Sequence, residues 1–208
     1  MSYFKGIFGE FLIRRSAQLW YNKDIKINHK NMNPIEELTK EHGPVKLMLR
    51  ILEKASDQLE AGQEMNVSDL ENAVAFIREF ADKCHHGKEE RLLFPAMEEN
   101  NIAEEMAIID ALIEEHKIGR NFVKNMSEAI AEKDSSKFIK NARGYIALLN
   151  PHIDKENQKL FPMAGKSLSE EKQKELELGF EDIEKNVIGE GRHEELHAII
   201  HKLKDKYL

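Results

Sequence analysis

The sequence is short of the residues that build small, cross-linked or strand-rich folds. Its single cysteine, Cys84, excludes an intrachain disulfide, a cysteine-based zinc knuckle and a four-cysteine iron–sulfur site. Only 5 prolines and 11 glycines occur in 208 residues, while 33% are charged and 41% hydrophobic. Few breakers and many charges imply long helices. No apolar run approaches the roughly 20 residues of a membrane span, so no membrane partner is expected. Positive charge is also scarce. The chain has 31 Lys and Arg against 38 Asp and Glu, a net charge of −7, which argues against nucleic acid as a partner. Residues 1–31 hold the only tryptophan, Trp20, and open basic and apolar. They lack a continuous apolar core and a small-residue cleavage site, so they read as an N-terminal arm or helix and not as a secretory signal. Met32, just before a clean helix start, is an alternative initiation point. A cytoplasmic protein is expected.

What remains is helical periodicity. Asn33-Pro34-Ile35-Glu36 starts a helix, with Asn33 capping and Pro34 at the first position. Ile35, Leu38, Val45, Leu49, Leu52 and Leu59 form one face, with His42 and Ser56 at the two missing steps. Gly62 should end it. Ser68-Asp69-Leu70-Glu71 reads as a capping box. The helix it opens places Leu70, Val74, Ile77, Ala81, His85, Glu89 and Leu92 inward, and Pro95 should break or kink it. A third helix over about 103–132 has the seam Ile109, Leu112, His116, Gly119, Val123, Met126, Ile130. A fourth, from about Ser136 to Met163, turns Phe138, Tyr145, Leu149, His152 and Glu156 inward. Ser169 caps a fifth, Gly189 and Gly191 interrupt it, and a last helix fills 192–207. The expected fold is all-α: an up-down-up-down four-helix bundle over 32–165, with additional C-terminal helices over 166–208 packed on it.

The chain repeats itself. Ile35-x-x-Leu38-x-x-Glu41-His42 matches Ile109-x-x-Leu112-x-x-Glu115-His116, and HHGKEERLLFP at 85–95 matches HIDKENQKLFP at 152–162. Each helix pair therefore carries a lone inward His and then a His-x-x-x-Glu. A His and a Glu four residues apart share a face, about 6 Å apart along the axis. Such pairs are often surface ion pairs. Here, however, His42 and His116 replace apolar seam residues, and the other four groups also point inward, where unpaired charge is costly. Four imidazoles and two carboxylates at one level suit first-row transition metals better than calcium or magnesium.

The pattern of a lone His, HHxxEExxLFP, EEH and HxxxExxxLFP resembles the hemerythrin-like, or HHE cation-binding, family over roughly residues 33–163. The resemblance implies a four-helix bundle holding two non-haem iron ions bridged by an oxo or hydroxo group. His42, His85, Glu89, His116, His152 and Glu156 would be ligands, with Glu89 and Glu156 bridging. Manganese or zinc could also occupy such a site. Family members bind O2, sense oxygen or iron, handle nitric oxide or peroxide, or help repair iron–sulfur clusters. The repair proteins usually carry an N-terminal cysteine module, which residues 1–31 lack.

The departure from the family is Arg120, which stands where oxygen-carrying members have a further histidine one turn after the third-helix His. His86, three residues before Glu89, is the candidate substitute; Ile153 occupies the matching place in the second repeat. With His86 bound, five imidazoles, two bridging carboxylates and one bridging oxygen fill about eleven of the roughly twelve positions of two octahedral ions. One position is then left for a small ligand. With His86 at the surface more positions stay open, which favours peroxide or oxidase chemistry over reversible O2 binding. Gly119 either leaves room for a diatomic ligand or allows close helix packing. Glu90 and Glu115 face solvent or hydrogen-bond the ligand imidazoles, while Val45, Leu49, Val123 and Leu149 form a water-excluding wall.

The functional expectation is a metal-binding protein whose partner is O2, NO or peroxide, as carrier, sensor or di-iron oxidoreductase. One alternative is an iron-responsive interaction module. Another is a zinc hydrolase on His193-Glu194-Glu195-Leu196-His197, which matches H-E-x-x-H. His201 lies two turns from His193, about 12 Å along the axis, so the three cannot converge on one ion. A solvated or interface helix is the simpler reading of that segment.

Overall fold

The computed structural model describes residues 32–64, 66–100 and 102–208. The expected N-terminal arm, residues 1–31, lies outside them. Among the described residues there are six helices and no strand. They are α1 (Pro34–Glu60), α2 (residues 67–98), α3 (Ala103–Glu132), α4 (residues 135–167), α5 (residues 170–189) and α6 (Arg192–Tyr207). Helix starts follow local chemistry. The Asn33 side chain accepts from the Ile35 N–H at 2.9 Å, and Pro34 fills a position whose N–H would have no partner. The expected cap at Ser68 is corrected to Asn66, which accepts from the Ser68 N–H at 2.9 Å and starts α2 at Val67. Asp134 caps α4 and Ser169 caps α5. Between α5 and α6 the chain turns on Gly189 (φ 105°) and Gly191 (φ 80°), a backbone conformation that costs glycine little.

Pro95 does not break α2. The chain stays helical through it and, in α4, through Pro151 and Pro162. Instead the helices widen: residues 77–86 and 89–93 of α2 and 156–160 of α4 are π-helical. The Phe94 N–H bonds the Glu89 carbonyl and the Phe161 N–H the Glu156 carbonyl, each five residues back. Pro151 sits within regular α-helix, whereas a wider turn just ahead of Pro95 and of Pro162 makes room for a ring that would strike the carbonyl four residues back in a tighter helix. It also explains a register correction. The inward steps 77, 81, 85 and 89 drift by about 40° each on a 3.6-residue helix, and the wide turns absorb the drift. The expected inward Leu92 is therefore only half-buried, beside Gly179 of α5, and Leu93 takes the core position.

α3 packs along α4, α4 on α1, and α2 against α1 and α3; α6 lies on α1 and α2, and α5 reaches α2. The buried apolar residues fall into two clusters. One contains Val45, Leu49, Ala81, Val123 and Leu149 and extends to Leu196 and Ile200 of α6. The other contains Leu38, Leu93, Phe94, Leu112, Leu160 and Phe161 and extends to Leu176 and Phe180 of α5. On α1, α2 and α3 the inward His and Glu residues come between the two, and on α4 Glu156 does. Leu38, His42, Val45 on α1 and Leu112, His116, Val123 on α3 show the order plainly. A polar layer thus divides the core.

Candidate metal centre

All seven candidate residues are buried in that layer: His42, His85, His86, Glu89, His116, His152 and Glu156. Donor atoms of His42, His85, Glu89 and Glu156 lie within 4.8 Å of one another, and so do those of His86, His116 and His152. Each Glu carboxylate spans the two helix pairs. Glu156 places one oxygen 3.1 Å from His42 Nε2 and the other 3.1 Å from His152 Nε2. Glu89 places its oxygens 3.6 Å from His85 Nε2 and 3.6 Å from His116 Nε2.

The imidazoles are held from behind. Glu41 accepts from His85 Nδ1 at 2.8 Å, Glu90 from His116 Nδ1 at 2.7 Å, and Glu115 from His152 Nδ1 at 2.8 Å. The Asn157 side-chain oxygen faces His42 Nδ1 at 3.0 Å. An ionised carboxylate can only accept, so the proton sits on Nδ1 and the Nε2 lone pair turns inward. Phe161 stacks on His42 and Phe94 on His116, fixing the ring planes. The arrangement follows the internal repeat: Glu41 corresponds to Glu115, and Glu90 to Asn157.

These inward atoms fit a cation and little else. His42 and His85 approach Nε2 to Nε2 at 3.0 Å, His116 and His152 at 3.2 Å. None of the four carboxylate oxygens of Glu89 and Glu156 receives a hydrogen bond. Lone pairs and carboxylates that face one another in a dry core are costly without a positive charge between them. Burial and the facing Glu156 push the Glu89 carboxyl well above the usual range. Burial holds His85, His86 and His116 below the ordinary imidazole value, as neutral donors. A nitrogen-rich set with two carboxylates that each reach both halves suits a pair of transition-metal ions.

His86 is buried, so its placement at the surface is excluded. Its ring stacks on His116 with centroids 3.9 Å apart, and its Nδ1 has no hydrogen bond, the nearest carboxylate oxygen being Asp82 Oδ1 at 3.6 Å. Arg120 does not enter the layer. Its guanidinium donates to Asp82 at 2.7 Å and to Glu90 at 2.6 Å, so it steadies the carboxylate that holds His116. A Cβ on Gly119 would meet Tyr145, Leu148 and Leu149 at 3.6 to 3.8 Å, so a methyl group would fit there. His193 and His197 are not solvated: both are buried against Phe80, with ring centroids at 5.3 and 5.5 Å. Among the described residues no set of three ligating side chains includes either.

Sequence reasoning missed Lys88. It is fully buried, with Nζ 2.5 Å from Glu37, 2.6 Å from Glu41 and 2.6 Å from Glu184. A third set of close donor atoms, from Glu41, Cys84 and Glu184, has its cation in this ammonium. Burial alone would raise the Glu41 carboxyl, but Lys88 and His85 hold it far below the usual range. The signal was present in the repeat, where Lys88 aligns with Lys155 and Lys155 pairs with Glu115.

Comparison with known proteins agrees with the geometry. Residues 33–164 match the family model described as the hemerythrin HHE cation binding domain. Uncharacterized proteins of Mycobacterium bovis and Mycobacterium tuberculosis are 25% identical over 161 residues, covering 74% of this chain and 62% of each relative. No solved structure matches the chain.

Proposed function

The chain belongs to the hemerythrin HHE cation-binding family, and from that premise we propose that it binds two non-haem iron ions in the polar layer and uses them to bind, sense or reduce a small ligand such as O2, NO or peroxide. The observation that carries this reading is the convergence of unpartnered carboxylate oxygens and inward Nε2 atoms at one level of an otherwise apolar bundle. His42 and His85 would serve one ion, His86, His116 and His152 the other, and Glu89 and Glu156 both. Such an ion pair supplies reversible electron transfer to a small ligand. The protein's part is to orient and to exclude. Glu41, Glu90, Glu115 and Asn157 fix the imidazoles; Val45, Leu49, Val123 and Leu149 close one side to water, and Leu93, Phe94, Leu160 and Phe161 close the other. Unequal numbers of imidazoles leave the two halves unlike, so a small ligand has a preferred side.

The test is metal analysis of protein expressed with iron, followed by a visible spectrum with and without O2. Close to two iron equivalents per chain and a charge-transfer band that develops with O2 are expected. Less than half an equivalent in carefully loaded protein overturns the reading. A full complement of metal with no response to O2, NO or peroxide leaves a metal-binding protein without this ligand chemistry.

A further inference from the structure

The internal repeat makes Lys88 and Lys155 counterparts, yet their surroundings differ. Each donates to the carboxylate that holds a histidine: Lys88 to Glu41 behind His85, and Lys155 to Glu115 behind His152. The Lys155 side chain is 29% exposed, whereas that of Lys88 is completely buried. The difference is α5. It lays the Phe180 ring 5.3 Å from Lys88 Nζ and brings the Glu184 carboxylate to 2.6 Å. α5 lies beyond residue 164, the last residue of the family match. A buried ammonium with three carboxylates at 2.5 to 2.6 Å has little freedom, so Glu41 cannot swing away from His85.

We propose that Lys88 is a positioning residue of the metal centre, that it fixes Glu41 on His85, and that Glu184 of the C-terminal segment locks it there. One half of the centre then depends on a segment outside the family domain, while its symmetric partner does not. The proposal rests on the metal-binding reading above. The chain of contacts runs Glu184, Lys88, Glu41, His85, with no gap above 2.8 Å. Partners that orient a ligating imidazole typically change metal affinity by about 10- to 100-fold. Loosening the chain should therefore act on His85 and spare His116 and His152, whose carboxylates answer to Arg120 and Lys155.

Cobalt(II) is the probe. In the loaded protein each Nε2-bound imidazole contributes an exchangeable, paramagnetically shifted Nδ1–H signal in the proton NMR spectrum. The signal of His85 is identified by its change in Glu41→Gln. Glu184→Gln should shift that same signal, speed its exchange with water, and lower cobalt affinity about tenfold against a competing chelator. Lys88→Met should do so more strongly, while Lys155→Met should leave the His85 signal in place. Should Lys88→Met fail to fold because three carboxylates lose their shared ammonium, Glu184→Gln decides, since Lys88 keeps two carboxylates there. A cobalt-loaded Glu184→Gln protein with an unchanged His85 signal overturns the proposal. So does an equal disturbance of every imidazole signal, which would mean general loosening. Failure of the unaltered protein to take up cobalt overturns the metal reading and this inference with it.

Discussion

Glu89 and Glu156 differ from the buried carboxylate of Glu41 in receiving no hydrogen bond on either oxygen. Glu41 is held by Lys88 and His85, whereas all four oxygens of the central pair face imidazole nitrogens without a hydrogen bond. In Glu89→Gln or Glu156→Gln the volume is kept, but one oxygen becomes an amide NH2 that cannot ligate and the negative charge is lost. Metal uptake should fall from near two equivalents to one or fewer, measured after gel filtration. Glu90→Gln, which weakens the hold on His116 and the pairing with Arg120 but removes no inward oxygen, should stay near two with at most about a tenfold loss in affinity. Equal effects at all three positions would mean that the bridging face is misplaced. His86 is the other informative side chain. Six of the seven candidate ligands remain in His86→Ala, so metal content should fall modestly. The opened position should make iron oxidation in air faster than in the unaltered protein, followed by visible absorption. An unchanged rate would show that His86 stacks on His116 without serving the site.

Glycines on α3 and α4 test helix packing directly. Alanine at Gly119 fits at ordinary contact distance and should hold stability or raise it by up to about 1 kcal/mol, through helix propensity. Alanine at Gly144 would place Cβ 2.5 Å from the Phe122 ring and should lower the melting temperature, because the ring must move for α3 and α4 to stay together. The tie between α2 and α6 has a pH signature. Burial alone would raise the Asp69 carboxyl, but Lys206 and Tyr207 hold it below the ordinary value of 3.8. Its folded pKa is therefore depressed, so its contribution is complete above about pH 4 and is lost as pH falls through the lowered value. Asp69→Asn should be less stable at pH 7 and lose less on acidification to pH 3, read by chemical denaturation. Much of this packing was legible in the sequence. The seam of α3 from Ile109 to Met126 is a regular 3–4 pattern, and the inward histidines stand out as breaks in such patterns. The π turns were hidden, since Pro95 reads as a breaker unless the run of four-residue steps before it is weighed as well. Lys88 was hidden because what buries it, Phe180 and Glu184, lies about 90 residues away, and no local periodicity records that contact.

Across the whole bundle, the polar layer separates two apolar clusters that would otherwise form one continuous core. Carboxylates and imidazoles crowded together there oppose folding when no cation is present, because they give up water and, apart from the contacts of Glu156 with His42 and His152, gain no partner. The ion pairs around the layer cannot relieve this; Lys88, Arg120 and Lys155 bind the outer carboxylates and reach none of the inward oxygens. Metal should therefore act as part of the folding energy as well as the chemistry. At a free metal concentration one hundred times the dissociation constant, a single site adds about 2.7 kcal/mol, and in a protein of this size about 1 kcal/mol corresponds to roughly 2–4 °C. Complete removal of metal by a chelator should lower the melting temperature by about 5 °C or more, and adding iron or cobalt back should restore it. Glu89→Gln should start from the lower temperature and respond weakly to the chelator, since its inward charge is already reduced. An unchanged melting temperature after complete metal removal would show that the layer is hydrated in solution and that the two apolar clusters hold the bundle without it.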